Sequence, residues 1–224
     1  MAVAAMWSIR VYSSSSEGVE YPQDHPRLAE RVILVHIIGL IRTLVTISSG
    51  QIVEAVAASV RDENATGGLV RFISAPFRRM LPALRVSSQW LRSNIEYIQT
   101  QAAELPQGAG THTAGDTLKG FWIAYATFAS QVDQTFPIER LPKSIILLDE
   151  DLELRGFIPF QNSPSDVMAE LSTIADSAKV HPNEEHLMRL RDIQRDAKSF
   201  ASMKVNKLCL SCAFLTCVLS RLRH

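Results

Sequence analysis

The side chains best suited to chemistry in this chain are four arginines near one helical segment. Arg78, Arg85 and Arg92 recur every seven residues, and Arg79 follows the first of them. Because seven residues are close to two helical turns, this spacing predicts that three side chains lie along one flank of a helix. A guanidinium group donates paired hydrogen bonds to phosphate oxygens. The four residues, here called the arginine ridge, are therefore predicted to bind single-stranded RNA or DNA.

The arginine ridge lies where charge is least balanced in the sequence. Five arginines and no acidic residue occur between Asn64 and Ile95, and Pro76 and Pro82 indicate that Arg71 is on a different element from the others. The chain has 23 basic and 23 acidic residues, so its net charge does not favour a nucleic acid. The alternative is a face that is solvated, or that is paired with the acidic run Asp149–Glu153.

The element that has to position the ridge is a helix predicted over Met80–Ile98. Its inward residues are three or four positions apart, the spacing that forms one stripe along a helix. That stripe consists of Leu81, Leu84, Ser88, Leu91, Ile95 and Ile98, widened by Val86, Trp90 and Tyr97. The prediction is a core helix with a basic flank.

Two helices are predicted upstream, after a start signal at Asp24-His25-Pro26. From Arg27 to Ile47 the sequence is apolar almost all round, which predicts a central, buried helix with His36 as a core histidine. Its clean apolar run is about ten residues where a membrane span needs about twenty, so a membrane partner is not expected. A second helix is predicted over Gln51–Arg61. Its inward residues are Ile52, Val53, Val56, Ala57 and Val60.

Downstream of a linker at Ala103–Asp116, an aromatic helix ends before Pro137. Its stripe consists of Leu118, Phe121, Trp122, Tyr125, Phe128, Val132 and Phe136. Such a stripe could stack on bases, but at helical spacing we interpret it as core. The segment that carries Leu152 and Leu154 is predicted to be an extended or turn-rich connection that lies over the helices.

Two more helices are predicted from their start signals, one from Ser163-Pro164 to about Ser177 and one from Pro182. The inward stripe of the second consists of Leu187, Leu190, Ile193, Ala197 and Phe200. Its mixed charges are predicted to form an exposed flank.

The two ends of the chain differ from the middle in amino-acid composition. Residues 1–23 are predicted to be a disordered leader, with a mitochondrial presequence as the alternative. Residues 204–224 form an apolar tail that holds all three cysteines. Its apolar flanks do not favour a zinc site, and the strand-to-helix junction of a thioredoxin-type pair is missing. The remaining residues, 24–203, are predicted to form one helical domain, since the chain is 46% hydrophobic and only 21% charged.

No reaction is indicated by the sequence. It has no glycine-rich phosphate loop, no nucleophile elbow and no zinc-protease helix, and its six histidines are scattered. We therefore predict a protein that is not an enzyme, without catalytic residues, cofactor, metal or small-molecule substrate.

Three motifs occur in order: MLPALRVSSQWLRSNIEYI, then FWIAYATFASQVDQTFP, then LLDEDLELRGFIPF. They resemble the family of telomerase subunits and nonsense-mediated mRNA decay adaptors, the ever-shorter-telomeres and SMG-type proteins. MRLRDIQRDAK resembles the helix that follows, so the likeness covers roughly Asp24 to Phe200. The region it covers is the DNA/RNA-binding helical domain of that family. The resemblance implies an all-α, solenoid-like array of antiparallel helical hairpins.

The resemblance also implies a non-enzymatic adaptor in telomere maintenance or in nonsense-mediated decay, located in the nucleus, the cytoplasm or both. Its partners would be proteins of a telomerase or decay complex. The family's N-terminal phosphopeptide-binding domain and C-terminal nuclease domain have no counterpart in this sequence, which leads us to expect a fragment of a longer product. The alternatives are a protein-binding scaffold that contacts no nucleic acid, and an inactive truncated fragment.

Overall fold

The computed structural model describes residues 24–61, 68–103, 114–143, 146–154 and 180–202. These residues contain α-helices, two short 3₁₀ helices and no strand, which confirms the all-α prediction. The α-helices are α1 (Asp24–Arg61), α2 (Ala75–Ala103), α3 (Ala114–Thr135), α4 (Asp149–Glu153) and α5 (Pro182–Ser202). The 3₁₀ helices are Gly68–Phe72 and Ile138–Arg140.

Helix α1 is one continuous helix where two were predicted. Ser48, Ser49 and Gly50 lie between the two predicted helices, but the Ser48 hydroxyl donates to the Leu44 carbonyl oxygen at 2.8 Å and is fully buried. One turn later, the Gln51 side chain accepts a hydrogen bond from Ser74 Oγ at 2.7 Å. A glycine inside a helix costs only about 1 kcal/mol, which packing on both sides of Gly50 offsets.

Only one face of α1 is buried, which corrects the prediction of a helix buried all round. Its core residues include Leu34, Ile38, Ile41, Val45 and Ile52. On the other side the exposed fractions are 61% for Val32, 55% for Leu40, 52% for Ile47, 53% for Val53 and 78% for Val60. His36 and Ala57 are also exposed. The inward predictions for Val53, Ala57 and Val60, and the core prediction for His36, were therefore wrong.

The apolar helix is also longer than the apolar run on which a membrane span was excluded. Because α1 is continuous, it contains a segment, Ala29–Val60, that is long and apolar enough to cross a membrane by length and composition. Core helices of globular proteins meet the same criterion. One face of α1 packs on α2 and α3 within the hydrophobic core.

Helix α2 confirms the stripe predicted for it and begins early enough to include Arg78. All six stripe residues are buried. It runs antiparallel to α1, since Tyr97 bonds Glu30 near one end and Met80 contacts Ser48 near the other. The 3₁₀ helix Gly68–Phe72 joins the two, so Arg71 is on a separate element from the ridge, as predicted.

Helices α3 and α5 close the core. In α3 and just beyond it, Phe121, Trp122, Tyr125, Phe128 and Phe136 are buried, which confirms the interpretation of the aromatic stripe as core. The ring centroid of Phe200, in α5, lies 6.0 Å from that of Trp122 and 5.5 Å from that of Tyr125. The remaining predicted core residues of α5 are buried, except for Leu187, which is partly buried.

Several predictions concern residues outside the described ranges. They are the leader 1–23, most of the linker 104–113, the helix predicted from Ser163 and the apolar tail 204–224. The connection predicted to lie over the helices contains α4, a helix of about one turn.

Candidate nucleic-acid interface

Arg78 and Arg79 lie at the start of α2, where the helix N-terminus meets solvent. Ser74 caps this end, because its hydroxyl oxygen accepts the backbone N–H of Phe77 at 3.2 Å. Both arginines are exposed, and the first turn contains no acidic residue. Among the described residues neither arginine has a salt bridge. This end of α2 therefore combines two side-chain charges with the positive end of the helix dipole.

Arg85, two turns further on, is buried between helices and has only 6% of its surface exposed. Its Nε donates to Asp192 Oδ2 of α5 at 2.7 Å. Its two terminal nitrogens bind both carboxylate oxygens of Asp151 in α4, at 2.7 and 3.0 Å. A third carboxylate, that of Glu150, lies 3.3 Å from Nη1. The donors of Arg85 are thus directed at protein carboxylates.

Glu150 extends this cluster to a second arginine. Arg189 of α5 binds it in a bidentate pair, with Nε to Oε1 at 2.9 Å and Nη2 to Oε2 at 2.8 Å. Asp151 also accepts the backbone N–H of Leu148 at 3.0 Å, which fixes the start of α4. We call the five charged residues Arg85, Glu150, Asp151, Arg189 and Asp192 the ionic clasp. For Arg85, the alternative of pairing with the acidic run Asp149–Glu153 is confirmed.

The pKa values in the clasp follow from its pairing. Burial alone would lower the pKa of Arg85, but the hydrogen bond and charge of Asp151, with those of Asp192, outweigh burial and raise it. Burial alone would raise the pKa of Glu150, and its bidentate pair with Arg189 instead holds it below the usual range. Arg85, Glu150 and Arg189 are therefore charged near neutral pH.

Arg92, the last member of the ridge, is half-buried beside α5. Its Nη1 lies 2.8 Å from Asp196 Oδ1. Arg92 Nε and Asp196 Oδ2 are buried and have no hydrogen-bond partner among the described residues. Burial raises the pKa of Asp196 to about 6, and the nearby Asp192 adds to this, although the charge of Arg92 acts the other way. The pair is thus incompletely satisfied.

His186 lies in the first turns of α5, with its Nδ1 3.4 Å from Arg189 Nη1. Burial lowers the pKa of His186 to about 4, with further lowering by the charges of Arg189 and Arg78. At neutral pH this histidine is uncharged, so the positive charge here belongs to the arginines.

The structure therefore divides the arginine ridge in two. Arg78 and Arg79 can reach a phosphate from the surface, whereas Arg85 is enclosed by the clasp and Arg92 is paired with Asp196. The predicted binding role of the four residues stays a prediction. Among the described residues no group of three or more His, Cys, Asp or Glu side chains could hold a metal ion.

The acidic partners on α5 were not predicted from the sequence. The charged residues of this helix were expected to form an exposed flank, but Arg189, Asp192 and Asp196 are buried. A signal was present, because Asp192 and Asp196 are one helical turn apart and could face arginines spaced along a neighbouring helix. Only the parallel packing of α5 on α2 shows that these residues meet.

Comparison with known families gives one match. A family model described as the Est1 DNA/RNA binding domain matches residues 8–164. The matched range contains the whole arginine ridge and α4, and it ends before α5. No curated protein and no solved structure matches the chain.

Replacing Arg85 by Met is expected to destabilise the protein by about 3–5 kcal/mol, because the carboxylates of Asp151 and Asp192 would stay buried without their main partner. Arg79→Met, at an exposed site on the same helix, should change the free energy of unfolding by less than about 0.5 kcal/mol. Urea unfolding at pH 7 measures both. Equal effects of the two substitutions would contradict a stabilising clasp.

Replacing Asp196 by Asn is expected to change how stability depends on pH. A folded-state pKa raised from 3.8 to about 6 means that the folded protein keeps a proton that the unfolded chain loses. The wild type should therefore lose up to about 3 kcal/mol relative to Asp196→Asn as pH rises from about 4 to about 6, and no more above that. Urea unfolding of both proteins across this range measures the difference, and a constant difference would contradict the prediction.

Proposed function

Because the chain belongs to the Est1 DNA/RNA binding domain family, a family of nucleic-acid-associated telomerase-type factors, we propose that it contacts single-stranded RNA or DNA through Arg78 and Arg79. The observation that supports these two residues is their exposure at the N-terminus of α2. The other two ridge arginines serve the fold and are not the main contact.

Arg78 and Arg79 lie in an electrostatically unfavourable position, at the N-terminus of α2. A positive side chain near a helix N-terminus is repelled by the helix dipole, at a cost of about 0.3–1 kcal/mol. No acidic residue in the first turn of α2 relieves this repulsion. A phosphate placed there would meet two guanidinium groups and the helix dipole together. Binding would be largely independent of base sequence, since phosphates carry no sequence information.

We also propose that the protein acts as a non-enzymatic adaptor. Its protein partners would belong to a telomerase or nonsense-mediated decay complex, in the nucleus or the cytoplasm. The antiparallel pairing of α1 and α2 supports a further part of the proposal, that the domain is built as a solenoid-like array of helical hairpins.

A protein-binding scaffold without nucleic-acid contact is the second candidate. The clasp and the Arg92–Asp196 pair favour it, because together they show that two of the four ridge arginines have partners inside the protein. The two candidates differ in whether Arg78 and Arg79 affect nucleic-acid binding.

The double substitution Arg78→Gln with Arg79→Gln is expected to weaken binding of a single-stranded oligonucleotide by at least about tenfold at low salt. It should also reduce the slope of log affinity against log salt by about 1.4, since each phosphate contact on a single strand contributes about 0.7. Filter binding of the full chain at several salt concentrations measures both.

The matched control is Lys119→Gln with Arg140→Gln, which removes two charges from exposed sites on α3 and on the 3₁₀ helix Ile138–Arg140. It should leave affinity within about twofold and the slope nearly unchanged. An equal loss in both double variants would show non-specific attraction. Absence of binding by the wild type would favour the scaffold. Charge reversal at Arg85 is a poor test, because it would disrupt the clasp.

His186 offers a second readout of binding at Arg78. The charge of Arg78 lowers the pKa of His186, which is about 4 in the protein without ligand. An oligonucleotide phosphate that neutralises this charge should therefore raise the pKa of His186. Arg78→Gln should raise it without ligand, and Lys119→Gln should not. Imidazole ¹⁵N shifts followed by NMR titration measure the pKa. An unchanged value on saturation with oligonucleotide would place the contact elsewhere.

A further inference from the structure

The face of α1 that points away from the core is mainly apolar, although Arg42 and Glu54 are exposed beside it. Seven large hydrophobic side chains are exposed among the described residues, and five of them lie on α1. They are Val32, Leu40, Ile47, Val53 and Val60. A concentration of exposed apolar side chains on one helix indicates an interaction surface.

This face follows a seven-residue repeat. Nine residues alternate in steps of four and three, the spacing with which one helix packs along another. They are Val32, His36, Gly39, Thr43, Thr46, Gly50, Val53, Ala57 and Val60, here called the outer seam. Eight of them are exposed and Gly39 is half-exposed. Leu40 and Ile47 border the seam on one side. The same spacing recurs on the core side, at Leu34, Ile38, Ile41, Val45, Ser48 and Ile52.

Gly39 and Gly50 in the outer seam have no role in the packing of α1 on the core. A Cβ added at either position would meet nothing within 4 Å. Glycine inside a helix is destabilising relative to alanine. Both glycines are explained if another helix approaches the α1 backbone closely, which their lack of a side chain permits.

The order of large and small residues in the seam identifies the other helix. Inverted about Thr46, the seam places Val53 opposite Gly39 and Val32 opposite Val60. It also brings Thr43 to within one residue of Gly50, and His36 to within one residue of Ala57. A larger side chain meets a smaller one near the centre, and the apolar ends meet each other. We propose that α1 packs antiparallel on α1 of a second copy of this chain, with Thr46 at the two-fold axis.

Charge and size agree with this pairing. No charged residue lies in the outer seam, so the pairing buries no unpaired charge. Arg42 and Glu54 lie beside the seam, on opposite flanks, and the Arg42 guanidinium packs against Gly120 of α3. At about 1.5 Å per residue and a width of about 11 Å, the stretch from Val32 to Val60 gives about 460 Å² per helix, or about 900 Å² in all. Interfaces of this size are weak and reversible.

The test is the mass of the full chain by sedimentation from about 1 to about 200 µM, because a weak dimer forms by mass action. The mass should approach twice 24.9 kDa at the upper end. Ala57→Leu and Gly50→Leu in the seam should weaken dimerisation at least about tenfold, since they fill space that the second helix needs. Ala83→Leu, at an exposed site of α2, should leave it unchanged. Circular dichroism confirms that each variant is folded.

A wild type that stays monomeric at the highest concentration overturns the proposal. So does a dimer that Ala57→Leu, Gly50→Leu and Ala83→Leu affect equally. Binding of the monomer to phosphatidylcholine vesicles, lost in Ala57→Leu, would assign the seam to lipid and also overturn it. A complex of one copy with a different protein would do the same.

The orientation is tested by oxidation in a background with Cys209, Cys212 and Cys217 replaced by Ser. Thr46→Cys should form a disulfide between two copies, because this residue meets itself at the axis. Val32→Cys should not, since its counterpart is Val60. Efficient disulfide formation by both single variants would indicate parallel helices and overturn the antiparallel pairing.

Discussion

The guanidinium group of Arg85, buried among three carboxylates, is the interaction on which the packing of α4 and α5 against α2 depends. Those carboxylates come from two elements, α4 and α5, that are distant from α2 in the sequence. Burying so many charges is costly, and only near-complete pairing offsets the cost. Any packing that moved α4 or α5 would leave a charge unpaired. The clasp therefore fixes how these elements meet α2, and Glu150 strengthens it by binding Arg189 as well.

This constraint decides what the neighbouring arginines can do. Arg85 and Arg92 share a flank with Arg78, but α5 covers that flank from Arg85 onward. Arg78 and Arg79 lie beyond the covered part, at the exposed start of the helix. The clasp thus uses one arginine to hold α5 in place and leaves two directed at solvent. The clasp fixes the backbone of α2, whereas the exposed side chains of Arg78 and Arg79 would still have to be ordered by a ligand.

Helix α1 shows how one pattern can serve two surfaces. Its apolar residues occupy opposite faces, each with seven-residue spacing, and only one face lies in the core. A helix that is apolar all round resembles a buried or membrane-spanning helix, and the sequence offers no means of separating these from a helix with two contact faces. The small residues of its outer face, above all Gly39 and Gly50, set it apart from the core face, which is mostly Leu, Ile and Val.

By itself, the sequence determined the helical class, the stripes of α2, α3 and α5, and the family, because local periodicity and short ordered motifs carry that information. It also showed an arginine ridge and an acidic run, without showing that Arg85 lies inside the protein. Only the tertiary structure decided that α1 continues through Ser48 and Gly50, and that α5 buries Asp192 and Asp196 against α2. Periodicity reports which face of a helix is apolar, whereas the burial of a charged face depends on a partner about a hundred residues away, which no local pattern specifies.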